Sequence, residues 1–309
     1  MDFGGFADLL VATKDIVTEI TDRFFPYGGL SKRALDVYIS EIEKSDKPKE
    51  FKAWEILNAK KEFKKMKNIN SILELTKEYC TDEETKKTTY SDNEEWYDSF
   101  FASACNISSE EVQSIWSLIL ANEIKGKVKY PLSLINVLNQ LDSQTAREFK
   151  RLCENRLVFA FLKERNGTIC DTFTNDIVFF DGLDENILTG IDLSMLNEFE
   201  SIGLISINSN GYRKTIAEAD RVLISDGDFT ECIRLKNNSI DIGNVVLTRA
   251  GKYISELIEP KTAFGYHDLI KRYYTNRGYL FEKTNILIRL PTKRNCSGIT
   301  FEYIKNENT

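Results

Sequence analysis

The chain has 309 residues, 42% of them hydrophobic and 29% charged, with 41 Lys and Arg against 48 Asp and Glu for a formal net charge of −7. That apolar content excludes a wholly disordered chain, and 16 Gly with 5 Pro exclude a collagen-like one. The negative balance argues against a generally basic coat for nucleic acid, because the overall field repels phosphate.

The first segment carries Phe6, Leu9, Leu10, Ile16, Val17, Ile20 and Phe24 on a helical period, with acids over much of the other face. That predicts an amphipathic helix stopping near Pro26 and Gly28-Gly29. Membrane-surface helices favour Lys and Arg on the polar face, so packing within the chain or between copies is the expectation. A second helix is predicted from about Lys32 to Glu43, with Ala34, Leu35, Tyr38, Ile39 and Ile42 on one stripe. A third runs from about Phe51 to Cys80, where Trp54, Leu57, Met66, Ile69, Ile72 and Leu73 recur at helical spacing. Lys60, Lys61, Lys64, Lys65 and Lys67 read as a solvated face of that helix. Residues 81–95 are polar and acidic and read as a loop, before a short helix bearing Trp96, Tyr97, Phe100 and Phe101.

Ser108 and Glu111 fit a capping box, followed by Val112, Ile115, Trp116, Ile119 and Leu120 on a helical stripe that stops at Lys125-Gly126. Leu134, Ile135, Leu138 and Leu141 mark another helix, and Ala146, Phe149, Leu152 and Cys153 the next. Short connections between such helices describe a bundle. After about residue 155 short apolar runs take over. Leu193 to Ile207 reads as helix, Gly203 cap and strand, and Val245-Val246-Leu247 as a strand before a helix capped by Thr248. This grammar is winged-helix-like, with a long wing over about residues 204–247. A helix near Tyr266 to Tyr274 and a hairpin pairing 279–290 with 299–303 complete the chain. The fold class expected is α+β, an N-terminal helical bundle followed by a winged-helix-like domain with a C-terminal hairpin. The expected organisation is N-terminal amphipathic helices over 1–48, the bundle over 49–155 and the winged-helix-like part over 156–309.

The chemistry-bearing residues are sparse. Cys80, Cys105, Cys153, Cys170, Cys232 and Cys296 form no C-x-x-C pair and read as reduced thiols of a cytoplasmic protein. Asp2, Asp8, Lys14 and Asp15 interrupt the start, so no signal peptide is expected, and no apolar run reaches the roughly 18 residues of a spanning helix. No integral membrane association is expected. His267 is the only histidine, so no site in one chain has two His ligands, and it has no G-x-S-x-G partner. Phosphate-loop, dinucleotide, H-E-x-x-H and kinase motifs are all absent. Catalytic residues, metal ligands and cofactors are therefore expected to number none. One region suits nucleic acid: Lys271, Arg272, Arg277, Lys283, Arg289, Lys293 and Arg294 interleave with Tyr273, Tyr274, Tyr279 and Phe281. Cations with flat rings serve single strands by phosphate pairing and base stacking.

The run Ser108 to Glu123 resembles the Q-x-x-W-A-x-I-L-A-x-E helix of the bacterial family of domain of unknown function twenty-eight-oh-six. Lys67-Asn68-Ile69 is similar to its R-x-x-N-I element, and Glu95-Trp96 with Phe100-Phe101 to its D-W-x-x-x-F-F. Leu132 to Leu141, and Ala146 with Phe149, resemble its next motifs. Gly203-Leu204-Ile205 and Leu247-Thr248-Arg249-Ala250-Gly251 resemble its later ones. The likeness covers about residues 60–260 and departs at Ser117, where the family has Ala, and over Lys125 to Pro131, where it has Pro-Gly. It brings no catalytic residues. Similar helices in abortive-infection proteins of the alpha type imply a setting in phage defence or a mobile-element system. The function expected is that of a non-enzymatic cytosolic interaction protein, with a protein partner or self-association. The alternative is a nucleic-acid-binding protein using the winged-helix-like part and the basic aromatic tail.

Overall fold

A computed structural model describes residues 32–80, 93–126, 128–162, 169–178, 190–216, 219–226, 229–259, 261, 265–289 and 300–303. The fold is α+β, in two compact units, Met1–Ser143 and Gln144–Thr309. The amphipathic segment expected over 6–24 and most of the acidic loop lie outside the described residues.

The first unit is helical: α1 (Lys32–Lys44), α2 (Lys49–Tyr79), α3 (Glu94–Ala104), α4 (Glu110–Ile124) and α5 (Leu132–Leu138). Its aromatic centre is local in origin. Trp96 and Phe100, one turn apart on α3, stack at 5.0 Å between ring centroids, and Phe100 meets Trp116 of α4 at 4.8 Å. Ile69, Ile72 and Leu73 of α2 are buried with them. The cap of α4 falls one residue later than the sequence suggests. Ser109, not Ser108, is the N-cap: its Oγ accepts from the Val112 N–H and donates to Glu111. Ser108 instead accepts from the buried Asn68 side chain, which also donates to the Cys105 carbonyl. The tertiary bond to Asn68 redirects Ser108 away from its own helix. The C-terminal stop stands as expected, with Gly126 at φ +63° after Lys125.

The second unit opens with α6 (Ser143–Glu154), read above as the end of the bundle, whose Phe149 packs edge-on against Phe199. Helix α7 (Leu193–Ile202) carries Phe199. The strands are β1 (Arg156–Leu162), β2 (Ile169–Val178), β3 (Ile205–Ile207), β4 (Arg213–Thr215), β5 (Arg221–Ser225), β6 (Thr230–Arg234), β7 (Ser239–Asp241), β8 (Val245–Leu247), β9 (Leu280–Glu282), β10 (Ile286–Arg289) and β11 (Thr300–Tyr303). Helices α8 (Arg249–Ser255) and α9 (Tyr266–Asn276) lie between β8 and β9 in sequence. The strand–helix order of a winged helix is present in α7, β3, β8 and α8, but its strands belong to a larger antiparallel sheet in the order β3-β8-β2-β1-β5-β6-β9. The expected wing is thus divided: β5 and β6 extend the main sheet, and β4 pairs with β7 alone. The expected tail hairpin is divided too, since β9 joins β6 and only β10 pairs with β11.

The continuous apolar run of β1 has its explanation here. All seven residues are buried, because both faces of the sheet are covered. Leu157, Phe159 and Phe161 join Val222, Ile224 and Ile233 beneath Tyr266, Leu269, Ile270 and Tyr274 of α9. Val158, Ala160 and Leu162 join Leu223 and Cys232 against Ile286 and Ile288 of β10. The period of two sorts the strand into two cores.

Candidate functional site

His267 stands on α9 and Glu231 on the neighbouring β6. The imidazole Nε2 lies 2.9 Å from Glu231 Oε1, and the ring stacks on Phe229 with centroids 3.9 Å apart. Lys271, one turn further on α9, places Nζ 2.7 Å from the same oxygen. One carboxylate therefore holds two side chains and fastens the helix to the sheet. The nearby hydroxyls are engaged with the strand: Ser225 donates to the Phe229 carbonyl, and Thr230 donates to Ser225. A shallow cleft beside this group is lined by Thr230, Glu231, Phe281, Glu282, Lys283, Thr284 and Asn285. Its second carboxylate, Glu282, accepts from Arg234 at 2.6 Å. Both acids of the cleft are thus ion-paired. Among the described residues no group of three or more His, Cys, Asp and Glu forms a metal site.

Cys232 is buried against Leu223, and burial pushes its thiol up to about 11. Iodoacetamide at pH 8 is expected to leave Cys232 unmodified in the native protein and to label it after denaturation, as read by peptide mass. Equal labelling in both states would contradict the burial.

The residues singled out for nucleic acid divide sharply. Tyr273 and Tyr279 are core side chains, each edge-on to the fully buried Tyr274 at 5.1 and 5.5 Å. Their rings are covered, so base stacking on them is closed off. The helical period turns Tyr273 inward, and Tyr279, just past α9, is held beside it by its N–H, which donates to the Tyr274 carbonyl at 3.0 Å. Lys271 is held by Glu231, and Arg272 is exposed on α9. Arg277 lays its guanidinium 3.4 Å from the Tyr273 ring centre. Arg289 lies in β10, paired with Thr300, and its side chain falls outside the description. Lys293 and Arg294 lie outside the described residues.

Two cations that sequence reasoning missed stand near Arg277. Lys236 Nζ is 5.8 Å from the Tyr279 ring centre, and Arg213 of β4 pairs with Asp241 at 2.9 Å. The Asp241 backbone N–H donates to the Tyr279 hydroxyl at 3.3 Å, which links the two. They come from 213 and 236, so no linear motif could have joined them to 277.

The first unit presents a different feature. Val37 and Tyr38 of α1 and Phe51, Trp54 and Leu57 of α2 are exposed, Trp54 by 64%. The helical spacing of Trp54 and Leu57 suggested a buried stripe continuous with Ile69 and Leu73. Burial instead begins further along α2, at Asn68. Among the described residues no helix is long and apolar enough to cross a membrane.

A family model described as "Protein of unknown function (DUF2806)" matches residues 57–271. No curated protein and no solved structure matches the chain. Because the model spans well over half of its length, the chain belongs to that family. Its polar motif residues have architectural partners. Buried Glu123 accepts from Asn93 at 2.8 Å and from the Tyr130 N–H at 2.9 Å, and Asn68 ties α2 to the turn before α4. Thr248 caps α8 through the Gly251 N–H and donates to the Gly203 carbonyl at 2.6 Å.

Proposed function

We propose that this chain is a non-enzymatic interaction protein that associates with a second copy of itself through the exposed apolar face of α1 and α2. The observation carrying this reading is that Val37 and Tyr38 of α1 and Phe51, Trp54 and Leu57 of α2, two consecutive helices, make up five of the eight exposed large hydrophobic residues among those described. Single exposed apolar residues are ordinary, whereas several concentrated on two consecutive helices suit an interface. Five such side chains offer roughly 500 Å² of surface, against roughly 800 Å² per partner in a standard interface. Exposed charges of both signs lie on the same helices: Asp36, Glu41 and Glu43 with Lys32, Arg33 and Lys44 on α1, and Glu50 and Glu62 with Lys49, Lys60, Lys61 and Lys64 on α2. With both signs on each helix, an isologous pairing about a two-fold axis can set acids of one copy against cations of the other. The structural employment of Asn68, Glu123 and Thr248, together with the ion-paired acids of the cleft, favours a scaffold over an enzyme.

The test is mass in solution. Light scattering of the whole chain is expected to give a dimer, and Trp54→Glu with Leu57→Glu a folded monomer. A monomeric wild-type chain would overturn self-association. A monomer in which deleting residues 1–31 newly exposes Trp54 to a fluorescence quencher would assign the face to the N-terminal segment instead. The proposed setting is the bacterial cytosol, in phage defence or a mobile-element system, resting on the likeness of the Trp116 helix to abortive-infection proteins of the alpha type. Unchanged plaque counts across a phage panel on cells with and without the gene would remove that setting.

A further inference from the structure

The exposed apolar residues of α1 and α2 do not by themselves fill a standard contact between copies. Their roughly 500 Å² falls about a third short of the roughly 800 Å² that each partner contributes. Directly before α1 the sequence carries a second apolar stripe. Residues 6–24 set seven apolar side chains on one helical period, from Phe6 to Phe24. At roughly 100 Å² each, those side chains more than close the gap. Thr13 is the polar member of that row, so the stripe holds no charge.

Charge favours bringing the two surfaces together. Residues 1–31 hold five acids against two bases, and residues 49–67 of α2 hold seven lysines against three glutamates. Two of those glutamates are already engaged, Glu55 by Lys47 at 2.6 Å and Glu62 by Lys65 at 2.7 Å. Lys60, Lys61, Lys64 and Lys67 are exposed, and among the described residues no ion pair engages them. Joining two copies by α1 and α2 alone would draw one lysine-rich stretch toward the other. An acidic helix of about 10 Å diameter laid beside that stretch brings opposite charge within a Debye length. Asp8, Asp15 and Asp22 recur every seven residues, off the apolar stripe, so acids and stripe do not compete for one face.

We infer that residues 6–24 of each copy lie on the α1–α2 face of the other, so that two copies are joined by exchanged N-terminal segments. This arrangement rests on the self-association proposed above. A segment folded back on its own α1–α2 face would use the same side chains and leave them unable to hold a second copy. Exchange lets one contact cover both apolar surfaces and join the chains, and it closes after two copies. Each copy then contributes both surfaces, which together exceed the standard roughly 800 Å². The connection permits it. Pro26 interrupts the helical period, Gly28 and Gly29 accept either sign of φ, and residues 25–31 can span up to about 25 Å.

Light scattering of the whole chain is compared with two variants. Leu9→Glu plus Val17→Glu charges the stripe, and Val11→Glu plus Thr18→Glu adds the same charge on the opposite side of the helical period. The first pair is expected to halve the solution mass at a concentration where the wild type is dimeric, and the second to leave it unchanged. Circular dichroism and the thermal midpoint qualify each variant. The exchange itself is read on the wild-type chain, in a mixture of isotopically heavy and light copies whose native mass shows heavy–light dimers. A carbodiimide, which couples carboxylates to amines, is expected to link Asp15, Glu19 or Asp22 to Lys60, Lys61 or Lys64 in mixed heavy–light peptide pairs. Links confined to one isotope overturn the exchange, as does a dimer undisturbed by the Leu9 and Val17 changes, and in both cases the α1–α2 reading survives. A monomeric wild-type chain overturns that reading and the exchange with it, so the two failures are told apart.

Discussion

Replacing Gly251 by alanine is expected to destabilise the second unit by about 3 kcal/mol, the upper part of the usual range for overpacking a closed site. Gly251 lies in α8 with helical backbone, where alanine would ordinarily stabilise by roughly 0.5–1 kcal/mol. The sign reverses because a Cβ would sit 1.9 Å from the Leu204 carbonyl oxygen and 3.0 Å from its carbon. That carbonyl is not free to retreat. It accepts from the Thr248 N–H at 3.0 Å and from the Thr248 hydroxyl at 3.1 Å, and Leu204 leads into β3. Urea unfolding followed by circular dichroism reads the change. A variant as stable as the wild type would show that α8 and the Gly203–Leu204 turn can move apart, contrary to the packing described.

Arg156→Met is expected to cost about 4 kcal/mol, within the range seen when one partner of a buried charged network is removed. Arg156 is 1% exposed at the head of β1. Its Nη1 donates to the Ser255 carbonyl at 2.5 Å and to the Ile258 carbonyl at 2.6 Å, just past the end of α8. A cation there meets carbonyls at the negative end of a short helix, and each bond is charge-assisted. Methionine fills much of the volume but supplies no donor, so buried carbonyls lose their partner. Arg156→Lys keeps the charge but lacks the planar fork, and an intermediate loss is expected. The same unfolding measurement compares the two. A loss below about 1 kcal/mol for the methionine variant would mean that water or backbone movement replaces the arginine.

Those two residues show how differently sequence and structure speak. The Gly203-Leu204-Ile205 and Leu247-to-Gly251 runs are each weak as motifs. They prove to be two sides of one contact: the Thr248 cap binds the Gly203 and Leu204 carbonyls, and Gly251 makes room for the latter. Arg156 left no signal at all, since an arginine at the head of an apolar run reads as a surface cation. Its partners lie about a hundred residues away, on carbonyls that every residue possesses.

By itself the sequence determined what is local. Apolar period, the Thr248 cap, and Gly126 and Gly203 in left-handed turns located most helices, because those signals act within one or two turns. The Trp116 helix marked the family for the same reason: its spacing is the core of one element. Tertiary structure alone decided which apolar faces are covered and which cations meet. Trp54 and Leu57 share a helix and a period with Ile69 and Leu73, yet only the latter pair is buried. Tyr273 and Tyr279 read as stacking rings until α9 and the sheet enclosed them. The seven-stranded sheet was equally out of reach, since β1 pairs with β5 about sixty residues on, and β6 with β9 about fifty. A strand's sequence states that it alternates, but the identity of its neighbour follows from burying both faces at once, which is a property of the whole unit.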